Sequence, residues 1–451
     1  MSTEVKHGLT RRQVIGAGAG AGAAMLAGGS LAKALAAGDA LTDRRLREQV
    51  EHVVVLCQEN RSFDEYFGTL SGVRGFQDPK ATTLPSGKSV FYQPAPNAVG
   101  YELPFHLDTT TTSAACVTGL SHAWTAQHAA WDGGKMDNWV PAHLAADGSP
   151  NGLLTMGYYE RNDIPWHYAL ADAFTICDDY HCSVMGPTNP NRLYLWTGMI
   201  DPTGRYGGPV VDNSETPPYT WTTYPERLQA AGIAWQVYQE VDNYDDNPPA
   251  WDLLSALSDN PDVWRKTVVF IMYDENDGYF DHVLPQTTPP GTPGEYVNPV
   301  PPAAGGVAGP IGPGFRVPMI VVSPWSTGGF ACGETFDHSS TIRFMERLFG
   351  VREPNISDWR RKTSGDLTSA FDFSSPPADF PDLASPDALP TPGNPSNINQ
   401  EESECFVTPG GSGNPPAAPP AANSQTVRSG AGNSPASRRS TIAEQGCPAP
   451  W

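Results

Sequence analysis

Positive charge is scarce in this chain: 28 lysines and arginines stand against 49 aspartates and glutamates, a formal net charge of -21. Such a surface repels DNA, RNA and anionic membranes, which argues against nucleic acid as a partner. A phosphate-bearing substrate remains compatible, provided a bound cation reverses the field inside one cleft. Cysteine is sparse too, at seven residues (Cys57, Cys116, Cys177, Cys182, Cys332, Cys405, Cys447), and no Cys/His spacing of the zinc-finger kind occurs. The odd count leaves at least one thiol outside any intramolecular bridge. Cys57 lies in an apolar run and reads as a buried free thiol, while the other six allow up to three bridges of open connectivity. Internal repeats are lacking, and beyond the N-terminal segment no run is long and apolar enough to span a bilayer.

What the chain does contain is aromatic and apolar bulk. A hydrophobic fraction of 39%, with 12 Trp, 16 Tyr and 17 Phe in 451 residues, supports one large core with appendages. At the N-terminus, Thr10-Arg11-Arg12-Gln13-Val14-Ile15 sets two arginines before a Gly/Ala-rich, weakly apolar stretch, and Ala34-Leu35-Ala36 supplies small residues for cleavage. This predicts a twin-arginine signal over 1–37, a translocase partner during export, and a secreted or cell wall-associated mature protein. From about Ser374 the chain fills with Pro, Ser, Asn, Gly and Ala without an apolar period, which predicts a largely disordered tail over 374–451. The folded domain is expected over 45–373.

Within that domain, His52-Val53-Val54-Val55-Leu56-Cys57 is a short, continuous, β-branched run of the kind buried on both faces of a parallel sheet. Ile233 to Tyr238, Thr267 to Tyr273 and Val317 to Ser323 have the same character. Helix-like stretches run from Ile164 to Phe174, Tyr224 to Ala231 and Thr341 to Phe349. Strands alternating with helices predict an α/β layered fold with a mostly parallel sheet. Ligands of such sheets bind beyond the carboxyl ends of the strands, so chemistry is sought there.

Directly after the first run stands Gln58-Glu59-Asn60-Arg61-Ser62-Phe63-Asp64-Glu65-Tyr66-Phe67-Gly68. A carboxylate beside an amide oxygen at a strand end can ligate a cation, although Asn60 is equally suited to cap a helix. Directly after the third run stands Tyr273-Asp274-Glu275-Asn276-Asp277-Gly278-Tyr279-Phe280-Asp281-His282-Val283. Two strand ends thus present acids toward one edge, the convergence a metal centre requires. In Met185-Gly186-Pro187-Thr188-Asn189-Pro190-Asn191-Arg192-Leu193, Thr188 is either a nucleophile activated by a cation or a helix cap, and Arg192 either clamps phosphate, with Asn191 beside it, or forms a salt bridge. His122, His282 and His338 lie close to acids, aromatics or turns and are candidates for phosphate contact or general acid work.

Five of these strings, in order, resemble the motifs of the bacterial phospholipase C and acid phosphatase phosphoesterase family: Gln58 to Asp64, His122 through Gly133-Gly134-Lys135-Met136-Asp137, Pro187 to Arg192, Tyr273 to Gly278, and Asp337-His338-Ser339-Ser340. The similarity runs from about His52 to about Phe373, where Trp359-Arg360-Arg361 and Gly365-Asp366-Leu367 resemble a late motif. The resemblance implies an alkaline-phosphatase-like three-layer α/β sandwich. It also implies one divalent cation (calcium, manganese or zinc) on Glu59, Asn60, Asp274 and Glu275, with Thr188 as nucleophile and His122 on phosphate. His282 and His338 carry over as further site members.

One departure stands out. The family normally carries a Leu-Pro-Gln-Val-Ser-Trp strand and a Glu-His-Pro motif between the equivalents of Pro248-Pro249-Ala250-Trp251 and Leu254-Ser255-Ala256-Leu257, and both are missing here. The resemblance implies a phospholipase C cleaving phosphatidylcholine-type phospholipids. Two other readings stay open: a broad acid phosphatase, and a non-catalytic lipid- or phosphate-binding paralogue. Trp124, Trp131, Trp139 and Tyr158 can cage a choline head group or simply fill the core.

Overall fold

The computed structural model describes residues 40–110, 114, 117–214, 218–238, 249–386 and 437–438. The expected signal over 1–37 and most of the expected tail lie outside them. The central sheet is built from β1 (His52–Gln58), β2 (Thr175–Cys177), β3 (Thr267–Tyr273), β4 (Met319–Val322) and β5 (Phe330–Cys332), in the order β1-β3-β4-β2-β5, with Ser437–Arg438 at the β5 edge. β1 runs parallel to β3 and β2 parallel to β5, whereas β4 lies antiparallel between β3 and β2. The sheet is therefore mixed, with β1, β3, β2 and β5 pointing one way.

All seven residues of β3 are buried, which explains its unbroken apolar run. Helices used below are α1 (Phe63–Phe67), α2 (Trp124–Trp131), α3 (Trp139–Asp147), α4 (Pro165–Ala173), α5 (Thr188–Thr197), α6 (Tyr224–Ala230), α7 (Pro249–Ser258), α8 (His338–Phe349) and α9 (Asp358–Thr363). Phe344 and Leu348, four residues apart, form the face of α8 that joins the main core, while Ile342 lies on another side of the helix and packs with Tyr224, Leu228 and Ile356. Phe344 meets Phe270 of β3 edge-on at 5.1 Å between ring centres, fixing α8 against the sheet. Asp337 caps α8, its backbone N–H donating to Ser340 Oγ at 3.1 Å. Beyond Ser374 the chain continues onto this body: Phe380 packs on Trp264 at 4.8 Å, and Trp264 Nε1 donates to the Ala378 carbonyl.

Three expectations need correction. Ile233 to Tyr238 is not a strand: only Ile233 is partly covered, and no strand pairs with the segment among the described residues. Apolar, β-favouring side chains do not make a strand without a ladder partner. Second, β2 and β5 were not expected, because three residues carry too little pattern to read. Third, Cys177, Cys182 and Cys332 are free thiols, so none of the bridges considered forms among the described cysteines; Cys57 is free as expected, though half-buried. Cys116, Cys405 and Cys447 lie outside the described residues.

Candidate metal and phosphate centre

β1 and β3 run in register from His52 opposite Thr267 to Gln58 opposite Tyr273, and the Asp274 N–H still donates to the Gln58 carbonyl at 3.1 Å. The residues that follow both strands are therefore delivered side by side. Glu59, Asp274 and Glu275 each offer a carboxylate oxygen within 4.8 Å of the others. Asp274 and Glu275 are fully buried, while Glu59 is open to solvent. Both Glu275 oxygens are buried without a hydrogen-bond partner. Burial, with the Asp274 charge second, pushes the Glu275 carboxyl well above its usual range. An orphaned buried carboxylate is costly unless a cation answers it, and this all-oxygen donor set fits a divalent ion.

Asn60 does not cap the helix that follows it. That place belongs to Ser62, whose backbone N–H donates to Glu65 Oε2 at 3.2 Å. The Asn60 amide instead gives Nδ2 to Asp277 Oδ1 at 3.1 Å, so it stands at the centre.

Thr188 is the first residue of α5, and Pro190 sits in the first turn, where its missing N–H breaks no helical bond. The Thr188 hydroxyl caps nothing; it donates to Glu59 Oε1 at 3.1 Å. One turn on, Arg192 Nε donates to Asp274 Oδ2 at 2.8 Å, with its NH2 at 3.6 Å from Glu59 Oε2. The salt-bridge alternative for Arg192 is thus what the structure contains, although both partners belong to the centre. Asn191 is fully buried and ties the preceding loop together, accepting from Val184 N and donating to the carbonyls of Gly186 and Pro187. Its polar atoms are thus spent on the loop that carries Thr188.

The three histidines have different fates. His122 joins the centre: Nδ1 lies 2.8 Å from the Leu120 carbonyl and 3.3 Å from Asp277 Oδ1, and Nε2 lies 3.8 Å from Glu275 Oε1. Burial alone lowers its proton affinity, but the hydrogen bond and charge of Asp277 outweigh that and raise it. His338 is fully buried behind Asp274, with Nε2 on the Asp274 carbonyl at 2.7 Å and Nδ1 on the Tyr180 hydroxyl at 2.9 Å. Burial lowers it to about 4, so the ring is neutral at pH 7. His282 belongs to another cluster, with Nδ1 on Asp64 Oδ2 at 2.6 Å.

That second cluster, Asp64, Asp281 and His282, also brings ligand-type atoms together, yet Arg316 supplies its positive charge. The Arg316 guanidinium is fully buried and donates to Asp281 at 2.6 Å and Asp64 at 2.9 Å. It is a structural ion network, and nothing in the local sequence marks Arg316 as its key. The cage reading of the aromatics also fails in part: Trp124, Trp139 and Tyr158 are buried, with Trp139 packed on Phe315 at 4.3 Å and Phe280 at 5.4 Å.

The Phosphoesterase family model matches residues 50–252 and 250–352. The chain belongs to the phosphoesterase family. It is 41% identical to a non-hemolytic phospholipase C of Pseudomonas aeruginosa, over 84% of this chain and 66% of that protein. A non-hemolytic phospholipase C of Burkholderia pseudomallei is 40% identical over 74% of this chain and 60% of its own length. This phosphoesterase therefore spans less than two thirds of either. Phospholipase C B of Mycobacterium tuberculosis is 40% identical over 82% of this chain and 87% of the relative. The Pseudomonas alignment runs over 479 positions, whereas 84% of 451 residues is about 379, so about 100 positions have no counterpart in this phosphoesterase.

Proposed function

We propose that this phosphoesterase is an exported phospholipase C that cleaves phosphatidylcholine-type lipids to diacylglycerol and a phosphorylated head group. The observation that carries the reading is the Thr188 hydroxyl resting on Glu59 beside the orphaned Glu275 carboxylate. The relatives named phospholipase C support the lipid substrate, the Arg11-Arg12 motif supports export through the twin-arginine translocase, and the layered α/β body is compatible with the alkaline-phosphatase-like sandwich.

Glu59, Asn60, Asp274 and Glu275 would hold the cation, and oxygen donors alone favour calcium or manganese over zinc. When bound, the ion neutralises phosphate charge and acidifies the neighbouring hydroxyl. Thr188 Oγ attacks phosphorus as its proton passes to Glu59 Oε1, to which the hydroxyl already donates. The bond from phosphorus to the diacylglycerol oxygen breaks, and that oxygen takes a proton from Nε2 of the partly exposed His122 in its imidazolium form, which the neighbouring Asp277 favours. Water then attacks phosphorus, giving a proton to His122 Nε2, while the proton held on Glu59 returns to Thr188 Oγ as the phosphothreonyl bond breaks and the head group is freed. Arg192 turns from its carboxylates to the phosphate oxygens, while His338 and Asn191 keep the Asp274 backbone and the Thr188 loop in place.

A second reading, a non-catalytic lipid- or phosphate-binding protein, is favoured by the roughly 100 aligned positions without a counterpart. The two pieces of the family match meet at 250–252, which supports placing the missing segment at the start of α7. Hydrolysis of phosphatidylcholine by wild type and Thr188→Val, with and without chelator, separates the readings. Phosphocholine release that requires both Thr188 and a cation is expected. Release undiminished in Thr188→Val would sink the nucleophile; no release, with p-nitrophenyl phosphate also untouched, would favour the binder.

A further inference from the structure

We propose that Asp277 is a positioning residue for this centre, a single buried carboxylate that orients the His122 imidazole and the Asn60 amide together; the inference rests on the phosphoesterase site described above. Asp277 is 2% exposed and sits in the left-handed region at φ 51°, a conformation that costs a non-glycine residue of order 1 kcal/mol and that Asp tolerates better than most. Its two oxygens serve separate segments. Oδ1 accepts from Asn60 Nδ2 at 3.1 Å and lies 3.3 Å from His122 Nδ1; Oδ2 accepts from Arg61 NH1 at 3.1 Å. Arg61 also donates to the Asn60 carbonyl at 2.7 Å, which locks the turn after β1 to the turn after β3. The backbone makes room for this arrangement: a Cβ on Gly119 would lie 3.1 Å from Asp277 Oδ1.

The chemistry follows from donor and acceptor counting. The Leu120 carbonyl at 2.8 Å from His122 Nδ1 can only accept, so Nδ1 carries the hydrogen. Asp277 Oδ1, 3.3 Å from the same nitrogen, sets its negative charge on that side of the ring, with Nε2 turned toward Glu275. At Asn60 the same carboxylate decides which end of the amide lies on its side. Asp277 touches no reacting atom in this scheme. Its effect on turnover passes through His122 and Asn60, as outer partners of metal and catalytic ligands commonly act.

The test uses the full mature chain with p-nitrophenylphosphocholine. Asp277→Ala is expected to lower kcat about 10–100-fold, the usual range for an outer-shell partner, with KM little changed. Asp277→Asn keeps an acceptor oxygen and should recover most of that loss. In a His122→Ala background, adding Asp277→Ala should cost less than about threefold more, since residues acting through one another are not additive. Ring-nitrogen NMR, with His122 assigned by its loss in His122→Gln, should show the single Nδ1–H tautomer in wild type at alkaline pH and a mixture in Asp277→Ala. Fully additive kcat losses together with an unchanged tautomer would overturn the proposal. Should Asp277→Ala not fold, Asp277→Ser, too short to reach His122, replaces it in both arms. A wild type inactive on every phosphate ester would defeat the proposed function, yet the NMR arm would still decide on Asp277.

Discussion

Glu275→Gln replaces a fully buried carboxylate, neither of whose oxygens has a hydrogen-bond partner, with a neutral group of the same shape. In the cation-free protein that carboxylate is a liability, because an unsatisfied buried charge costs upward of the 1–3 kcal/mol of a neutral polar group. Removing it should stabilise the chelated protein by about 2 kcal/mol, or roughly 2–3 °C in Tm for a chain this large. The pH dependence has a definite sign. The folded carboxyl is raised above its unfolded value, so the wild-type fold is at its best below pH about 4.3 and weakens as pH rises toward the folded pKa. The variant's advantage should thus vanish in acid and grow as pH rises toward and through the folded pKa. Adding calcium or manganese at 100 times its dissociation constant should stabilise wild type by about 2.7 kcal/mol and the variant far less. Differential scanning calorimetry with chelator, then with each ion, reads both effects. A variant less stable than wild type in chelator, or one stabilised equally by the ion, would refute the assignment of Glu275 as a cation ligand.

Other consequences are open to measurement. Arg316→Leu strips the cation from Asp64 and Asp281 and should cost about 3–5 kcal/mol in urea unfolding; a loss below about 1 kcal/mol would contradict the buried network. His338 is held neutral, its pKa lowered by burial to about 4, so the unfolded chain binds its proton first and stability falls as pH drops from about 6.5. His338→Gln should flatten that fall by up to about 3 kcal/mol, read from urea midpoints at neutral and acid pH. Gly278 lies at φ 71°, and a Cβ there would stand 2.7 Å from His143 Cε1 and 2.8 Å from Leu120 Cβ. Gly278→Ala should therefore displace the loop before His122 and lower both turnover and Tm, by about 1–3 kcal/mol in stability.

Much of the centre was readable in the chain because its chemistry sits where strands end. β3 announces itself as an unbroken apolar run, since a strand buried on both faces has no polar side; β1 carries the same pattern, although it proves to be the edge strand of the sheet and only half-buried. The acids after them could then be placed at one edge without coordinates. Thr188 was picked out by its setting, but that its hydroxyl meets Glu59 instead of capping α5 follows only from the arrival of β1 beside it. The histidines were the hardest case. His122, His282 and His338 stand near acids, aromatics or turns in sequence, yet one reaches the centre, one is clamped by Asp64 and one braces the Asp274 backbone.

Local sequence determined which segments are apolar, where helices start and which side chains are able to ligate or transfer protons, because those properties belong to a residue and its near neighbours. Tertiary structure alone decided partners. It withheld a ladder from Ile233 to Tyr238, put Arg316 rather than a metal between Asp64 and Asp281, and left Glu275 without a hydrogen bond. Burial and pairing depend on groups hundreds of residues apart, and the charge state of a carboxylate or imidazole follows from them.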